Sequence, residues 1–283
     1  MRKALLFISI LVSAAAFAQT TPAPAVKYPR VSQKAMLMQT IGTTDMTITY
    51  SRPGVKGRKV WGALVPYGAV WRTGANEATT IAFSDDVTIN GQKLAAGTYS
   101  LHTIPGEKEW TLIFNTVANQ WGSYSYDQTK DALRVKAVPA TASFVEWLTF
   151  EVPVLSTDQA TVAIRWENVA VPFTVNANTT AKVLAAAGKA VSEAKADDWK
   201  TPYGAGNFAF DNGMLNEAAQ WADASVKAGE NMNNLWLKAR ILAKQGKKAD
   251  AIALGEKALA KKTEKDSADL AAEIRKQIDE WKK

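Results

Sequence analysis

The hydrophobic period of this chain changes near Asn176, and this change limits the fold more than any other feature. Before that point, short segments such as 45–51 alternate apolar and polar residues, which is the pattern of half-buried strands. After it, apolar residues recur at helical spacing over 183–194 and again over 270–281. The chain is therefore predicted to form a mainly β N-terminal domain followed by an all-α tail.

About nine short strands are predicted between residues 30 and 176. The clearest signal is the hairpin of 87–89 and 92–94, because Asn90-Gly91 between them is typical of a two-residue type I′ turn. Short strands joined by short turns favour an antiparallel β-sandwich or a jelly-roll-like fold. A parallel α/β sheet is disfavoured because no long helices separate the strands.

Part of the helical tail repeats itself. The pair Asn212-Gly213 recurs 33 residues later as Gln245-Gly246. This spacing resembles the tetratricopeptide repeat, a pair of helices of roughly 34 residues. The resemblance implies stacked helical hairpins with a concave surface for a protein partner. A departure from the pattern is Gly255, where that repeat usually has a large aromatic residue, and a generic helical bundle with a chance offset is the alternative.

The N-terminus has the pattern of a secretory leader. Basic residues at 2–3, an apolar run over 4–12 and a small-x-small cleavage box at 16–18 predict a signal peptide over 1–18. A flexible lead-in over 19–29 follows. The apolar run is shorter than a membrane span, no later stretch approaches that length, and an uncleaved anchor is the alternative. We therefore expect an exported protein, periplasmic or secreted, with no membrane span in its mature form.

The composition excludes several chemistries. The 283 residues include no Cys and one His, and they carry a net charge of +7. Without Cys there is no disulfide, iron–sulfur cluster or thiol nucleophile, and one His cannot supply a multi-histidine zinc site. We therefore expect no metal and no cofactor. The positive charge is spread over both halves of the chain, so a solvated surface is expected and a nucleic-acid partner is not.

His102 is the only imidazole in the chain. It shares a predicted strand face with Ser100, opposite Tyr99 and Leu101, so it points outward if those two point to the core. A Ser-His-Asp triad would have to use His102, and the chain has no G-x-S-x-G motif. A solvent-facing histidine and a histidine that lines a site both remain open.

Segment 50–77 is predicted to be a long loop between strands, and long loops within compact domains are often functional. Arginine forks recognise carboxylate or phosphate, and tryptophan faces stack on sugars or cations. A site for a small polar or carbohydrate ligand is therefore one interpretation of this segment. The candidate ligand-binding residues, including the nearby histidine, are Arg52, Arg58, Trp71, Arg72, Asn76, Glu77 and His102.

The other interpretation of segment 50–77, and the one that we favour, is a purely structural role. In that case Arg72 pairs with Glu77 as a buried strut. Arg52 or Arg58 then ties the loop to backbone carbonyls, and the tryptophan side chains belong to the core.

Several motifs occur in order along the β region. They are Ser-Arg-Pro-Gly-x-x-Gly-Arg at 51–58, Pro-Tyr-Gly-x-x-Trp-Arg-Thr-Gly-Ala-Asn-Glu-Ala-Thr at 66–79, Ala-Gly-Thr-Tyr-Ser-Leu at 96–101, Trp121-Gly122, and Asp131 with Arg134-Val135. Together they resemble the domain of unknown function 2911 family, secreted bacterial proteins that come mostly from Gram-negative envelopes. The resemblance covers about 30–176. It implies a β-rich fold and export, and it implies no activity.

The expected organisation is therefore a β domain over 30–176 and a helical tail over 177–283. The expected function is that of an exported binding or scaffold protein without catalytic activity, whose tail binds a protein partner. The alternative is a periplasmic hydrolase that uses carboxylates and arginines of segment 50–77, with His102 as a further candidate.

Overall fold

The computed structural model describes residues 28–283. The chain divides into two units, Met1–Val31 and Ser32–Lys283. Of the first unit only 28–31 are described, and these residues form neither helix nor strand. The predicted signal peptide over 1–18 and all but the end of the lead-in over 19–29 lie outside the described residues.

Ten strands form the β domain. They are β1 (Gln33–Ile41), β2 (Thr44–Arg52), β3 (Thr80–Phe83), β4 (Val87–Ile89), β5 (Gln92–Leu94), β6 (Gly97–Ile104), β7 (Trp110–Asn115), β8 (Asp131–Ala137), β9 (Ala140–Leu155) and β10 (Gln159–Asn176). One sheet has the order β1-β2-β3-β6-β7-β8 and the other β5-β4-β10-β9. All paired strands are antiparallel. A single apolar core joins side chains of both sheets, such as Ile48 and Phe173. The predicted β-sandwich is confirmed.

The turn between β4 and β5 is the one expected, while two strand assignments differ from the prediction. The type I′ turn between β4 and β5 is confirmed, because Asn90 and Gly91 have φ of 47° and 82°. The two strands expected over 161–167 and 169–175 are one strand, β10, which bulges at Glu167 with φ of 53°. Strand β1 was not predicted, because its exposed positions include apolar residues and its alternation is therefore hidden.

Four tryptophans pack against one another in the core. They are Trp61, Trp71, Trp110 and Trp166. The rings of Trp71 and Trp166 are stacked with centroids 5.9 Å apart. Trp61 and Trp71 both come from segment 50–77, so this segment folds into the sandwich. Both side chains therefore pack in the core, and a ligand-binding role for Trp71 stays a prediction.

Six helices follow the β domain. They are α1 (Thr179–Ser192), α2 (Lys200–Asp211), α3 (Leu215–Ala228), α4 (Met232–Lys244), α5 (Lys248–Ala260) and α6 (Ala268–Lys282). Helices α2 and α3 form one hairpin and α4 and α5 another. Gly213 and Gly246 turn the chain between the paired helices with φ of 76° and 81°, so the 33-residue offset of the sequence relates the two hairpins. Membership of the tetratricopeptide family stays a prediction.

Glycines allow the helices to approach closely. A Cβ on Gly206 would lie 3.0 Å from Leu237, and one on Gly255 would lie 3.0 Å from Ile278. The absence of a side chain at Gly255 therefore lets α6 pack closely against α5. None of the helices in the described part of the chain has the length and apolarity needed to cross a bilayer.

The β domain caps the first helix. Asp158, in the turn between β9 and β10, accepts hydrogen bonds from the backbone N–H of Thr180 at 2.7 Å and from its hydroxyl at 2.9 Å. The first N–H groups of a helix have no partner within it, so this carboxylate supplies one. Gly42 lies against the same helix end, since a Cβ there would be 2.1 Å from Thr179 Oγ1. The boundary expected near 176 stays a prediction.

Candidate functional site

Segment 50–77 connects β2 and β3, which are neighbouring strands of one sheet, and it crosses to the second sheet near its start. Pro53 and Val55 form backbone hydrogen bonds with β9, from Leu148 N at 3.0 Å and to Glu146 O at 2.9 Å. Gly54 sits between them, and a Cβ there would lie 2.9 Å from Glu146 Oε1. The segment is thus fastened at its start to the second sheet.

Arg52 and Arg58 hold this crossing in place. Arg52 Nε donates to Leu148 O at 2.8 Å. Arg58 donates from Nε to Val55 O at 3.0 Å and from Nη2 to Gly54 O at 2.6 Å. Both arginines therefore bind backbone carbonyls, and a ligand-binding role for either stays a prediction.

The end of the segment runs along the edge of β6. Trp71 pairs with Thr103 through backbone hydrogen bonds of 2.7 and 2.8 Å, and its indole packs in the core. Side chains alternate along extended backbone, so Arg72 lies on the opposite face, which it shares with His102. This register brings Arg72 and His102, which are thirty residues apart in sequence, to one region of the sheet.

Asn76 and Glu77 form the outer bend of the segment. Asn76 has φ of 60°, and its side chain donates to Ser32 O at 2.9 Å. The Glu77 side chain is exposed. Glu77 takes part in a contact of its own, and the strut between Arg72 and Glu77 stays a prediction.

His102 points away from the sandwich core, as expected, but it does not face solvent. Its side chain is 0% exposed, while its neighbour Leu101 lies in the core on the other face. Residues 116–130, between β7 and β8, fold over this outer face and form what we call the covering segment. Within it, Ser123 Oγ lies 3.5 Å from His102 Nδ1, and the Tyr126 ring lies 5.2 Å from the imidazole.

The covering segment is held by backbone contacts to the 71–79 bend. Ala78 N donates to Gln120 O at 3.0 Å, and Gly122 N donates to Asn76 O at 3.1 Å. Gln120 Nε2 also donates to Ser100 Oγ at 3.1 Å. A Cβ on Gly122 would lie 2.6 Å from Arg72 Nη1, so the segment passes directly beside this guanidinium.

Asp131 binds several polar side chains near His102. It accepts from Tyr126 Oη at 2.6 Å and from Asn115 Nδ2 at 2.8 Å, and Arg134 Nε lies 3.2 Å away. Sequence reasoning did not choose Asp131, Tyr126 or Arg134 as site residues. Asp131 and Arg134 did stand among the motifs of the family resemblance, and this was the available signal.

Burial keeps the imidazole of His102 and the phenol of Tyr126 uncharged at neutral pH. Burial lowers the pKa of His102 from 6.5 to about 4, against the opposing charge of Asp131. Burial also raises the pKa of Tyr126 to about 12, and its hydrogen bond to Asp131 adds to the shift. At neutral pH the imidazole is therefore uncharged and the phenol keeps its proton.

Four buried polar atoms near His102 have no hydrogen-bond partner in the described part of the chain. They are Arg72 Nε, His102 Nε2, Gln120 Oε1 and Arg134 Nε, the last of which lies 3.2 Å from Asp131 Oδ2. Each such atom costs about 1–3 kcal/mol unless something satisfies it. We call these residues, with Ser123, the His102 site. Among the described residues no group of three or more His, Asp or Glu is arranged to hold a metal ion.

The helical region contains a second candidate site, a groove across α2, α4 and α6. Its volume is about 420 Å³. It is lined by Phe210, Trp236, Arg240, Ala243, Lys244, Glu273, Gln277 and Trp281. The rings of Trp236 and Trp281 lie 5.4 Å apart across it. We call this surface the helical groove.

The helical groove combines aromatic surface with fixed positive charge. The Arg240 guanidinium lies 4.8 Å from the centroid of Phe210, and its Nη2 donates to Asn207 Oδ1 at 2.6 Å. These contacts fix the position of the cation. Lys244 adds a second positive charge on α4, and Glu273 on α6 a negative one. The groove therefore offers apolar contact and a positive surplus together.

The β domain matches a described family. The family model "Protein of unknown function (DUF2911)" matches residues 32–175, just over half of the chain. The match extends from β1 through β10 and ends before the helices, as the motifs of the sequence indicated. No curated protein and no solved structure shows a significant match to this chain.

Proposed function

This chain belongs to the DUF2911 family, whose description assigns no activity, and we propose from its geometry that it is a binding protein that holds a peptide segment of a partner in the helical groove. The observation that carries the proposal is the presence in one groove of aromatic rings and a cation, Arg240, whose position is fixed by its contacts. Trp236 and Trp281 supply apolar area, while Arg240 and Lys244 supply charge. A segment that carries an apolar side chain beside an acidic one complements both.

The helical hairpins support this proposal. Helices α2, α4 and α6 each contribute to the groove, and α2 and α4 are the first helices of the two hairpins. Stacked hairpins that present equivalent helices on one side form extended concave surfaces, which suit extended peptides. Export to the periplasm or beyond is part of the proposal and is supported by the leader pattern at 1–18.

The hydrolase alternative has weaker support. Segment 50–77 contains a single acidic residue, Glu77, so it cannot supply a pair of carboxylates by itself. Arg52 and Arg58 are engaged with backbone carbonyls. The binding function is therefore the one that we propose.

An immobilised peptide array tests the proposal with the full chain. The array holds short peptides that pair Leu or Phe with Asp or Glu, and matched peptides in which Lys replaces the acid. Wild-type protein is expected to bind the acidic set, and Trp281→Ala is expected to weaken that binding about tenfold or more. Tyr124→Ala is the control, because Tyr124 is an exposed aromatic residue of the β domain.

Two results would contradict the groove as the binding surface. One is a wild-type protein that binds neither peptide set. The other is equal loss of binding in Trp281→Ala and Tyr124→Ala. Thermal melts of both variants show whether they are folded.

A further inference from the structure

The side of β1 that faces away from β2 is an open sheet edge. Among the described strands, β1 comes first in the six-stranded sheet and pairs with β2 alone, in unbroken antiparallel register from Gln33↔Arg52 to Ile41↔Thr44. A strand at the end of a sheet presents a row of unpaired backbone N–H and C=O groups, which is a template for a further strand. We call Gln33–Ile41, on the side away from β2, the β1 edge.

The register shows which residues direct their backbone groups toward the open side. Ser84 N donates to Asp45 O at 3.0 Å, so the backbone of Asp45 points from β2 toward β3. This direction alternates along an antiparallel strand, so Met46 points toward β1, where it faces Gln39. By the same alternation, the residues of β1 whose backbone groups point away from β2 are Lys34, Met36, Met38 and Thr40.

The centre of the β1 edge combines open backbone groups with apolar surface. The carbonyl oxygen of Thr40 accepts from the Gln39 side chain at 2.8 Å. The backbone groups of Lys34, Met36 and Met38 form no hydrogen bond with any described element other than β2. The side chains of Met36 and Met38 are 66% and 55% exposed. Backbone pairing and apolar contact are therefore available together at these two residues.

The other sheet edges are less suited to pairing. Beside β8, Asn90 of the β4–β5 turn donates from Nδ2 to Lys136 O at 2.8 Å. Strand β5 is only three residues long. Strand β9 contains Pro153, and its pairing with β10 shifts register at three places. Short strands, prolines and bulges prevent edge pairing, and the nine residues of β1 show none of these features.

The charges near the β1 edge complement one another under a two-fold rotation. Lys34, near one end, is exposed. Near the other end, Thr40 faces the exposed Asp45 across β1 and β2 and donates to its carboxylate at 2.7 Å. Lys34 and Thr40 are six residues apart along the strand, or about 20 Å, so Lys34 does not meet Asp45 within one chain. When two β1 edges run antiparallel, Lys34 of each copy comes beside Asp45 of the other.

We propose that the protein forms a two-fold symmetric dimer in which the β1 edges of two copies pair antiparallel and join their six-stranded sheets. In the register centred on Leu37, Met36 faces Met38 of the second copy, and Lys34 faces Thr40 of the second copy. The methionines then cover one another at the centre. Each Lys34 reaches Asp45 of the second copy, so the occupant with the matching charges is the same chain. This dimer is separate from the peptide binding proposed for the helical groove.

Sedimentation velocity of the full chain, over about 1–100 μM, tests the proposal by its concentration dependence. Wild type is expected to change from monomer to dimer as the concentration rises. Lys34→Glu and Asp45→Lys are each expected to weaken dimerisation about tenfold or more, because each replaces two attractions by two repulsions. The variant that carries both substitutions exchanges the signs and is expected to dimerise like the wild type. This rescue requires the two positions to meet across the dimer.

Two further variants separate the β1 edge from general effects of charge. Lys93→Glu is the matched control, because Lys93 is exposed on β5, and it is expected to dimerise like the wild type. Met38→Pro removes an N–H group that points away from β2, so it is expected to abolish the dimer without removing a hydrogen bond to β2. Thermal melts show whether each variant is folded.

Three results would overturn the proposal. One is a wild-type chain that remains monomeric over the whole concentration range. Another is a dimer that folded Lys34→Glu and Asp45→Lys variants form as readily as the wild type, which would place the interface elsewhere. The third is a double variant that dimerises more weakly than either single variant, because Lys34 and Asp45 would then not meet across the two copies.

Discussion

At the scale of single residues, the neutral state of His102 makes the stability of the fold depend on pH. The folded chain binds a proton at His102 with a pKa of about 4, whereas an unfolded chain does so near 6.5. Between these values the unfolded state holds more protons, so protonation favours unfolding. The free energy of unfolding is expected to fall by up to about 3 kcal/mol from this group as the pH drops through that window.

Denaturant titrations at several pH values between 4 and 7 measure this effect in wild type and His102→Gln. The variant cannot titrate at position 102, so its stability is expected to change less over the same range. Parallel pH profiles for the two proteins would show that His102 has no shifted pKa.

Only some residues of the His102 site could be identified from the sequence. Arg72 and His102 were identified as candidates, since residue type alone marks a cation and the only imidazole. Their proximity depends on the pairing of Trp71 with Thr103, which is a matter of register between distant segments. Ser123 and Gln120 were not identified, because nothing local distinguishes a loop that folds over a sheet from one that extends into solvent.

At the scale of elements, two helical glycines have opposite roles. Gly204 in α2 has open space around its missing Cβ, whereas a Cβ on Gly255 in α5 would press on Ile278 at 3.0 Å. Gly204→Ala is expected to raise the free energy of unfolding by about 0.5–1 kcal/mol through helix propensity. Gly255→Ala gains the same propensity but is expected to lose about 1–3 kcal/mol to overpacking, for a net destabilisation.

Thermal and denaturant melts of the two single variants measure this difference. Each glycine serves as the control of the other, because the chemical change is identical and only the neighbourhood differs. Equal stabilisation by both substitutions would mean that α6 moves away from α5 at little cost.

The elements were predictable to the extent that their periodicity was visible. The β4–β5 hairpin follows from Asn90-Gly91, and the helical region follows from its change of period. Strand β1 was missed because Met36 and Met38, which are apolar, occupy exposed positions. The continuity of β10 was missed because its bulge at Glu167 interrupts the alternation of a single long strand.

At the scale of the whole molecule, the connection between the β domain and the helices is a short stretch near 176. Limited digestion with a protease of broad specificity is expected to release a stable fragment that ends near 170–180. Asp158→Ala removes the carboxylate that caps α1, at a cost of about 1 kcal/mol, and is expected to accelerate this cleavage.

Asp85→Ala is the control for Asp158→Ala, because Asp85 contacts only the neighbouring Ser84 among the hydrogen bonds of the described residues. Cleavage rates are compared by gel and the fragments by mass. An intact chain that resists digestion, together with an isolated 19–176 fragment that does not fold, would show that the helices complete the β domain.

The cap on α1 also links this helix to a part of the chain that is synthesised before it. Asp158 is positioned by the turn between β9 and β10, and it precedes the helix it caps by about twenty residues. A ribosome delivers the chain from its N-terminus, so the turn that holds this carboxylate is made before α1 is complete. The β domain thus supplies the acceptor for one of the first N–H groups of α1 from a part of the chain that is made earlier than the helix.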